Sequence, residues 1–139
     1  MARIFTNGNF RVEAVINGIQ DLTVGGRTQV FGPLYLPVQL VTANPGGGAG
    51  GAVQLVWGRI VDIHTVGSPG DSVILQGDDA INGAIWWIRN SGANACDIFP
   101  PPGKQIESGG VDVAYSLAAG TTVAIARLTD GENFSIFFG

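Results

Sequence analysis

From residue 52 onward, apolar side chains recur mostly at every second position. Val53, Leu55, Trp57, Val61 and Ile63 share one face at period 2. Gln54, Gly58, Asp62 and His64 fall on the other face with Val56 and Ile60, and Arg59 interrupts the apolar side. This predicts one long strand, bent or bulged near Gly58-Arg59. Further short apolar runs follow at residues 72–75, 111–117, 121–129 and 134–138, separated by clusters of Gly, Pro, Asn and Asp. Asp130-Gly131 signals a hairpin turn, and the apolar ending predicts a last strand inside a sheet. Helix signals are nearly absent, because Gly or Pro interrupts most windows. The expected fold class is all-β: an antiparallel β-sandwich or jelly-roll-like domain with an extended N-terminal arm.

The arm is the less regular part. Residues 10–16 alternate weakly. Residues 34–41 look extended, but Pro33 and Pro37 remove ladder donors, which suits an edge strand or a segment lying on a neighbour. Pro45 and the glycine-rich run to Gly51 read as a hinge. The expected division is therefore residues 1–51 as arm and hinge and residues 52–139 as the β-domain. A phosphate-cradling reading of the glycines fails, since no Lys-Ser/Thr follows and a strand comes next.

The longest apolar feature spans residues 84–103. It holds Trp86, Trp87 and Cys96 and ends at Pro100-Pro101-Pro102-Gly103. It reads as a hairpin turning at Gly92-Ala93, with Trp87 opposite Ile98 and Trp86 opposite Phe99. Cross-strand parity then places Ile85, Trp87, Arg89, Cys96 and Ile98 on one face. Trp86, Ile88, Asn90, Asp97 and Phe99 fall on the other. Both faces are too apolar for open water, so one is expected to meet a partner, and Asp97 selects the Trp86, Ile88 and Phe99 face. With Leu34, Tyr35, Leu36 and Val38 of the arm, these are the candidate interface residues.

Composition strengthens the expectation of a partner. Only 13% of the 139 residues are charged, against about 25% in a typical soluble domain. A small monomer normally covers its large surface with charge, and this chain has little available. The length suits one domain that buries about two-thirds of its surface on folding. The net charge is −4, and the seven Lys and Arg are scattered without a basic run, which argues against nucleic acid. No apolar stretch is long enough for a transmembrane helix, and the start lacks the apolar core of a signal peptide. Synthesis and retention in a cytoplasm until assembly fits both.

Catalytic and ligand chemistry finds little support. The single cysteine excludes an intramolecular disulfide and a multi-cysteine metal site. Cys96 has no basic activator nearby and reads as a small core residue. His64 is the only histidine and falls on the polar side of its strand. Asp71, Asp78 and Asp79 offer oxygens for calcium, but adjacent acids in a polar loop more often form a solvated turn. Ser68 lacks the strand-turn-helix context of a nucleophile elbow. No catalytic residue, cofactor or metal is expected.

From Ile60 to Phe138 several pieces occur in a recognisable order. They are Gly70-Asp71-Ser72-Val73, Asn90-Ser91-Gly92-Ala93-Asn94-Ala95, Ile98-Phe99-Pro100-Pro101-Pro102-Gly103, Ser116-Leu117-Ala118-Ala119-Gly120 and Asn133-Phe134-Ser135-Ile136-Phe137. As an ordered set they resemble a family of small β-sandwich virion proteins of tailed bacteriophages and prophages. The resemblance implies a structural protein, with head decoration (cement) as the best-fitting role. It also implies a homotrimer bound to the major capsid protein lattice on the capsid surface. A tail or fibre module, binding host glycan or other tail proteins, is the alternative expectation. The resemblance does not reach residues 1–58.

Overall fold

A computed structural model describes residues 36–77, 80, 82–128 and 133–138. They belong to one compact unit, Tyr35–Gly139. The described residues are all-β apart from one 3₁₀ turn at Ala49–Gly51. The strands are β1 (Val38–Thr42), β2 (Val53–Leu55), β3 (Ile60–Thr65), β4 (Asp71–Leu75), β5 (Ile85–Asn90), β6 (Cys96–Phe99), β7 (Gln105–Ile106), β8 (Tyr115–Leu117), β9 (Thr122–Ala126) and β10 (Asn133–Phe138). One sheet has the order β1-β3-β5-β9-β10-β7, and the second has the order β2-β4-β6-β8.

The chain changes sheet at nearly every connection. The odd strands β1, β3 and β5 pair in parallel, and so do the even strands β2, β4 and β6. The first six strands thus wind as a flattened coil, like a short β-solenoid. β8 and β9 then pair antiparallel with β6 and β5 and close the far end of the coil. Both sheets are mixed, so the expected antiparallel sandwich is corrected: the first half of the domain is a parallel stack.

Three expectations change with this topology. The strand foreseen across Gly58 is two strands in different sheets, broken where Gly58 takes φ 71°. The hairpin foreseen over residues 84–103 does not form, because β5 and β6 lie in opposite sheets and face each other across the core. The hinge foreseen at residues 45–51 is a packed connection between β1 and β2. There the Gly46 N–H donates to Asp71 Oδ1 (3.2 Å), and Ser72 Oγ donates to the Gly48 carbonyl (2.8 Å). A Cβ on Gly47 would sit 2.8 Å from the Gly70 carbonyl oxygen, so glycine is what lets these two connections stack. The unit boundary accordingly falls after Leu34, not after Gly51.

Alternation along each strand fills the interior. Val41, Val61, Ile63, Trp86, Ile88, Val123 and Ile125 point inward from the larger sheet, against Leu55, Val73, Leu75, Cys96, Ile98 and Leu117 from the smaller. Trp86 is the centrepiece: its indole N–H donates to the Leu55 carbonyl (2.7 Å), and its ring meets Phe134 edge-on at 5.6 Å. Buried polar groups satisfy the turns at one end of the coil. Asn90 Nδ2 donates to the carbonyls of Asn94 (2.9 Å) and Leu117 (3.0 Å), and its Oδ1 accepts from the Gly92 N–H (3.0 Å). Asp71 Oδ2 accepts from the Ser68 N–H (2.9 Å), and Asn94 Nδ2 reaches the Val66 carbonyl in the preceding turn (2.9 Å).

Candidate assembly surface

The outward positions of the larger sheet form two rows that run across its strands. In the first row Val38 neighbours Ile60, Ile60 neighbours Trp87, and Trp87 neighbours Ala124. In the second, Leu40, Asp62, Arg89 and Thr122 follow in the same order. The first row is apolar, and its β1 end is open to solvent: Val38 is 57% exposed, Ile60 43% and Trp87 38%, while Ala124 is buried. In the second row Leu40 is 68% exposed, and beyond it Asp62 and Arg89 stand side by side with opposite charge. Ser91 Oγ donates to Asp62 Oδ1 and fixes that carboxylate. Between the rows lies a groove of about 300 Å³, lined by Leu36, Ile60, Trp87, Arg89 and Thr122.

The same alternation that sends Val61, Ile63, Trp86 and Ile88 into the core sends Ile60 and Trp87 out. Exposed aliphatic and aromatic side chains grouped on one flat sheet are the signature of a surface that meets another macromolecule.

Of the expected interface residues, Leu36 and Val38 lie on this surface and are exposed. Leu34 and Tyr35 lie outside the described residues. Trp86 and Ile88 are corrected: both are fully buried and belong to the core. The physical reason is the hairpin assumption. In a hairpin, Trp87 shares a face with Cys96 and Ile98; with the two strands in facing sheets, Trp86 and Ile88 point at Cys96 and Ile98 instead. Phe99 is half-buried and alternates outward on the smaller sheet, beside Ile74. It therefore does not join the Trp87 surface. Leu40, Ile60 and Trp87 were not among the expected interface residues. Arg89, two residues from Trp87 and on the same side of β5, is the sequence signal that marks this face as outward.

The remaining polar chemistry is used by the fold. Asp71 is buried and holds two backbone N–H groups. Asp78 and Asp79 lie outside the described residues. His64 is exposed on β3, and among the described residues no three His, Cys, Asp or Glu side chains come together as a metal cluster. Cys96 is fully buried. Burial first, then the neighbouring Asp97 and Asp71 carboxylates, push its thiol up from 9.0 to about 12, so it is a poor nucleophile. No helix among the described residues is long and apolar enough to cross a membrane. No protein-family model and no curated protein sequence matches the chain.

Proposed function

We propose that the protein is a structural virion component of a tailed bacteriophage, a decoration or cement protein that binds the assembled head and stabilises it. The observation that carries this reading is the open apolar row Val38, Ile60 and Trp87, with Leu36 and Leu40 beside it, on a rigid sheet. The mechanism is binding alone. Apolar sheet surface is buried against the capsid lattice, and burial of this kind requires no charge. Copies joined as a homotrimer engage the lattice together, so modest single contacts combine through high effective concentration. A protein that binds the assembled shell and not free capsid subunits stabilises the shell by linkage.

The finer fold assignment belongs to the same proposal: the domain is a coiled variant of the small phage β-sandwich rather than a jelly roll. The groove beside Trp87 is walled by Leu36 and Ile60, which suits pairing of apolar surfaces better than a sugar site rich in hydrogen-bonding groups. The test is binding of purified protein to heads that lack it, followed by negative-stain imaging and heat challenge. Wild type should decorate the heads and raise their heat resistance, while Ile60→Lys with Trp87→Glu should not bind. Localisation to the tail, or undiminished binding by the double variant, would replace this reading with the tail-module one.

A further inference from the structure

We infer that β1 is a pairing edge for a second copy of this chain, joined antiparallel across a two-fold axis at Leu40, so that two larger sheets become one continuous sheet. The first observation is which side of β1 is occupied. Ile60 N–H donates to the Pro37 carbonyl (3.1 Å), and Ala43 N–H donates to the Thr65 carbonyl (2.9 Å). Main-chain groups of successive residues alternate sides in a strand, so the odd positions 37, 39, 41 and 43 face β3. The N–H and C=O groups of Val38, Leu40 and Thr42 then point to the other side, where β1 is the last strand of the sheet among the described residues. No described residue pairs with them there.

The second observation is that the usual protections of an edge are missing. Proteins block exposed edges with charge, with proline or with a bulge on the edge strand. The run from Leu36 to Asn44 carries no charged residue. Its one proline, Pro37, lacks its N–H on the β3 side, and so leaves the outer ladder whole. The register shift between β1 and β3 places the extra residue on β3, between Ile63 and Thr65, and β1 itself stays regular.

The smaller sheet supplies a contrast within the same molecule. Its matching edge, β2, is closed from inside. Gln76 N–H donates to the Leu55 carbonyl (3.0 Å) on the β4 side, which leaves Gln54 and Val56 facing the open side. The Gln39 side chain fills that position as a strand would: its Nε2 donates to the Gln54 carbonyl (2.8 Å), and its Oε1 accepts from the Val56 N–H (2.9 Å). One edge of the coil is capped by its own side chain, and the other is left with its donors and acceptors aligned.

A second copy fits because the edge is complementary to itself. Centred on Leu40, the antiparallel register sets Leu40 against Leu40 and Val38 against Thr42. Each of these facing pairs exchanges both bonds, for about six main-chain hydrogen bonds. The two Leu40 side chains then stand side by side and Val38 stands beside Thr42 of the other copy, so exposed apolar groups pack laterally along the seam. Charge is compatible as well. Each Leu40 is followed outward by Asp62 and then Arg89, so the carboxylates of the two copies stand about three strand spacings, or ~14 Å, apart, beyond the Debye length of about 8 Å. Within the proposed function, this seam would link neighbouring trimers into a net, and in that respect it rests on that reading.

The test is chemical and needs no capsid. Leu40→Cys, Val38→Cys and the double Val38→Cys/Thr42→Cys variant are oxidised mildly and run on non-reducing gels, with sedimentation equilibrium of the wild type beside them. The pairing places the two Leu40 Cα atoms about 5.5 Å apart, within disulfide reach, and the two Val38 Cα atoms ~14 Å apart, outside it. Leu40→Cys and the double variant should cross-link at least about tenfold faster than Val38→Cys. The wild type should sediment as an even number of copies, and Leu40→Lys should halve that number while keeping the β-rich circular dichroism spectrum. Equal cross-linking of the two single variants, or a wild type that sediments as a monomer or a simple trimer, overturns the inference. Capsid binding without the cross-link sinks the pairing and leaves the decoration reading intact; the cross-link without capsid binding does the reverse.

Discussion

The adjacent tryptophans give the sharpest check on the architecture, because the hairpin and the coil assign them opposite roles. We consider Trp→Phe at each position. At Trp86 the substitution removes the indole N–H that donates to the Leu55 carbonyl (2.7 Å), a loss of about 1 kcal/mol for a buried hydrogen bond. It also empties part of a fully buried site packed against Phe134, adding about 1–2 kcal/mol for the lost contacts and residual cavity. The expected sum is about 2–3 kcal/mol. For a domain near this size that lowers Tm by roughly 3–5 °C per kcal/mol, or about 6–15 °C in all. At Trp87 the ring is 38% exposed on the outer sheet surface, and the same change should cost at most about 1 kcal/mol. Urea titrations followed by circular dichroism read both values free of the altered fluorescence. Equal destabilisation by the two variants, or the larger loss at Trp87, would refute the facing-sheet arrangement of β5 and β6 and restore the hairpin.

Four further outcomes follow. Asn90→Leu should cost about 2 kcal/mol or more in a urea titration, because it removes the Asn90 donors to the Asn94 and Leu117 carbonyls, while the Gly92 N–H keeps its bond to the Ile63 carbonyl. Gly92→Ala should cost about 1–3 kcal/mol by the same assay, since a Cβ there would lie 2.9 Å from the Val66 backbone nitrogen; a neutral result would mean the turns do not stack. The Cys96 thiol has its folded value raised from 9.0 to about 12, so the unfolded chain releases this proton first. Stability should be unaffected by this group below pH 9 and should fall between pH 9 and 12 by up to about 1.4 kcal/mol per pH unit, a decline that Cys96→Ala should remove. Deleting residues 1–51 removes β1 and the Gln39 bonds to β2 and should lower the urea midpoint sharply or prevent folding.

The strands and their inward positions were legible because alternation is a local property. Val53, Leu55, Trp57, Val61 and Ile63 were expected on one face; Leu55, Val61 and Ile63 are buried, Trp57 is half-buried and Val53 is exposed. Pro37 marked an edge, and β1 is the end strand of its sheet among the described residues. The expected last strand is β10, paired with β9 and β7. Sheet membership was not legible, since it depends on which strands meet across the molecule. A turn of small residues such as 91–95 suits a hairpin and a crossing between sheets equally well by composition. What separates them is Asn90, whose side chain is wholly buried and bonded within the turn. An asparagine with no exposure at a strand end spans the gap between two layers, where a hairpin would leave it in solvent. The glycine run misled for a related reason: glycine permits a flexible linker, but it also permits the close approach of Gly47 to Gly70.

The choice of surface turned on the same point. Once β5 and β6 face each other, the alternation of β5 fixes Trp86 inside and Trp87 outside, and no freedom remains to assign them otherwise. Of the apolar residues that low overall charge led us to expect on the surface, Val38, Leu40, Ile60 and Trp87 are exposed together at the β1 end of the larger sheet, while Val111, Val113 and Leu128 are exposed on other segments. That place also holds a strand edge whose outer main-chain groups no described residue satisfies, while the neighbouring β2 edge is closed by Gln39. Either feature alone has an ordinary explanation, since single exposed leucines are common and every open sheet has edges. Their coincidence on one uncharged strand is what makes this end of the sheet the surface on which assembly should depend.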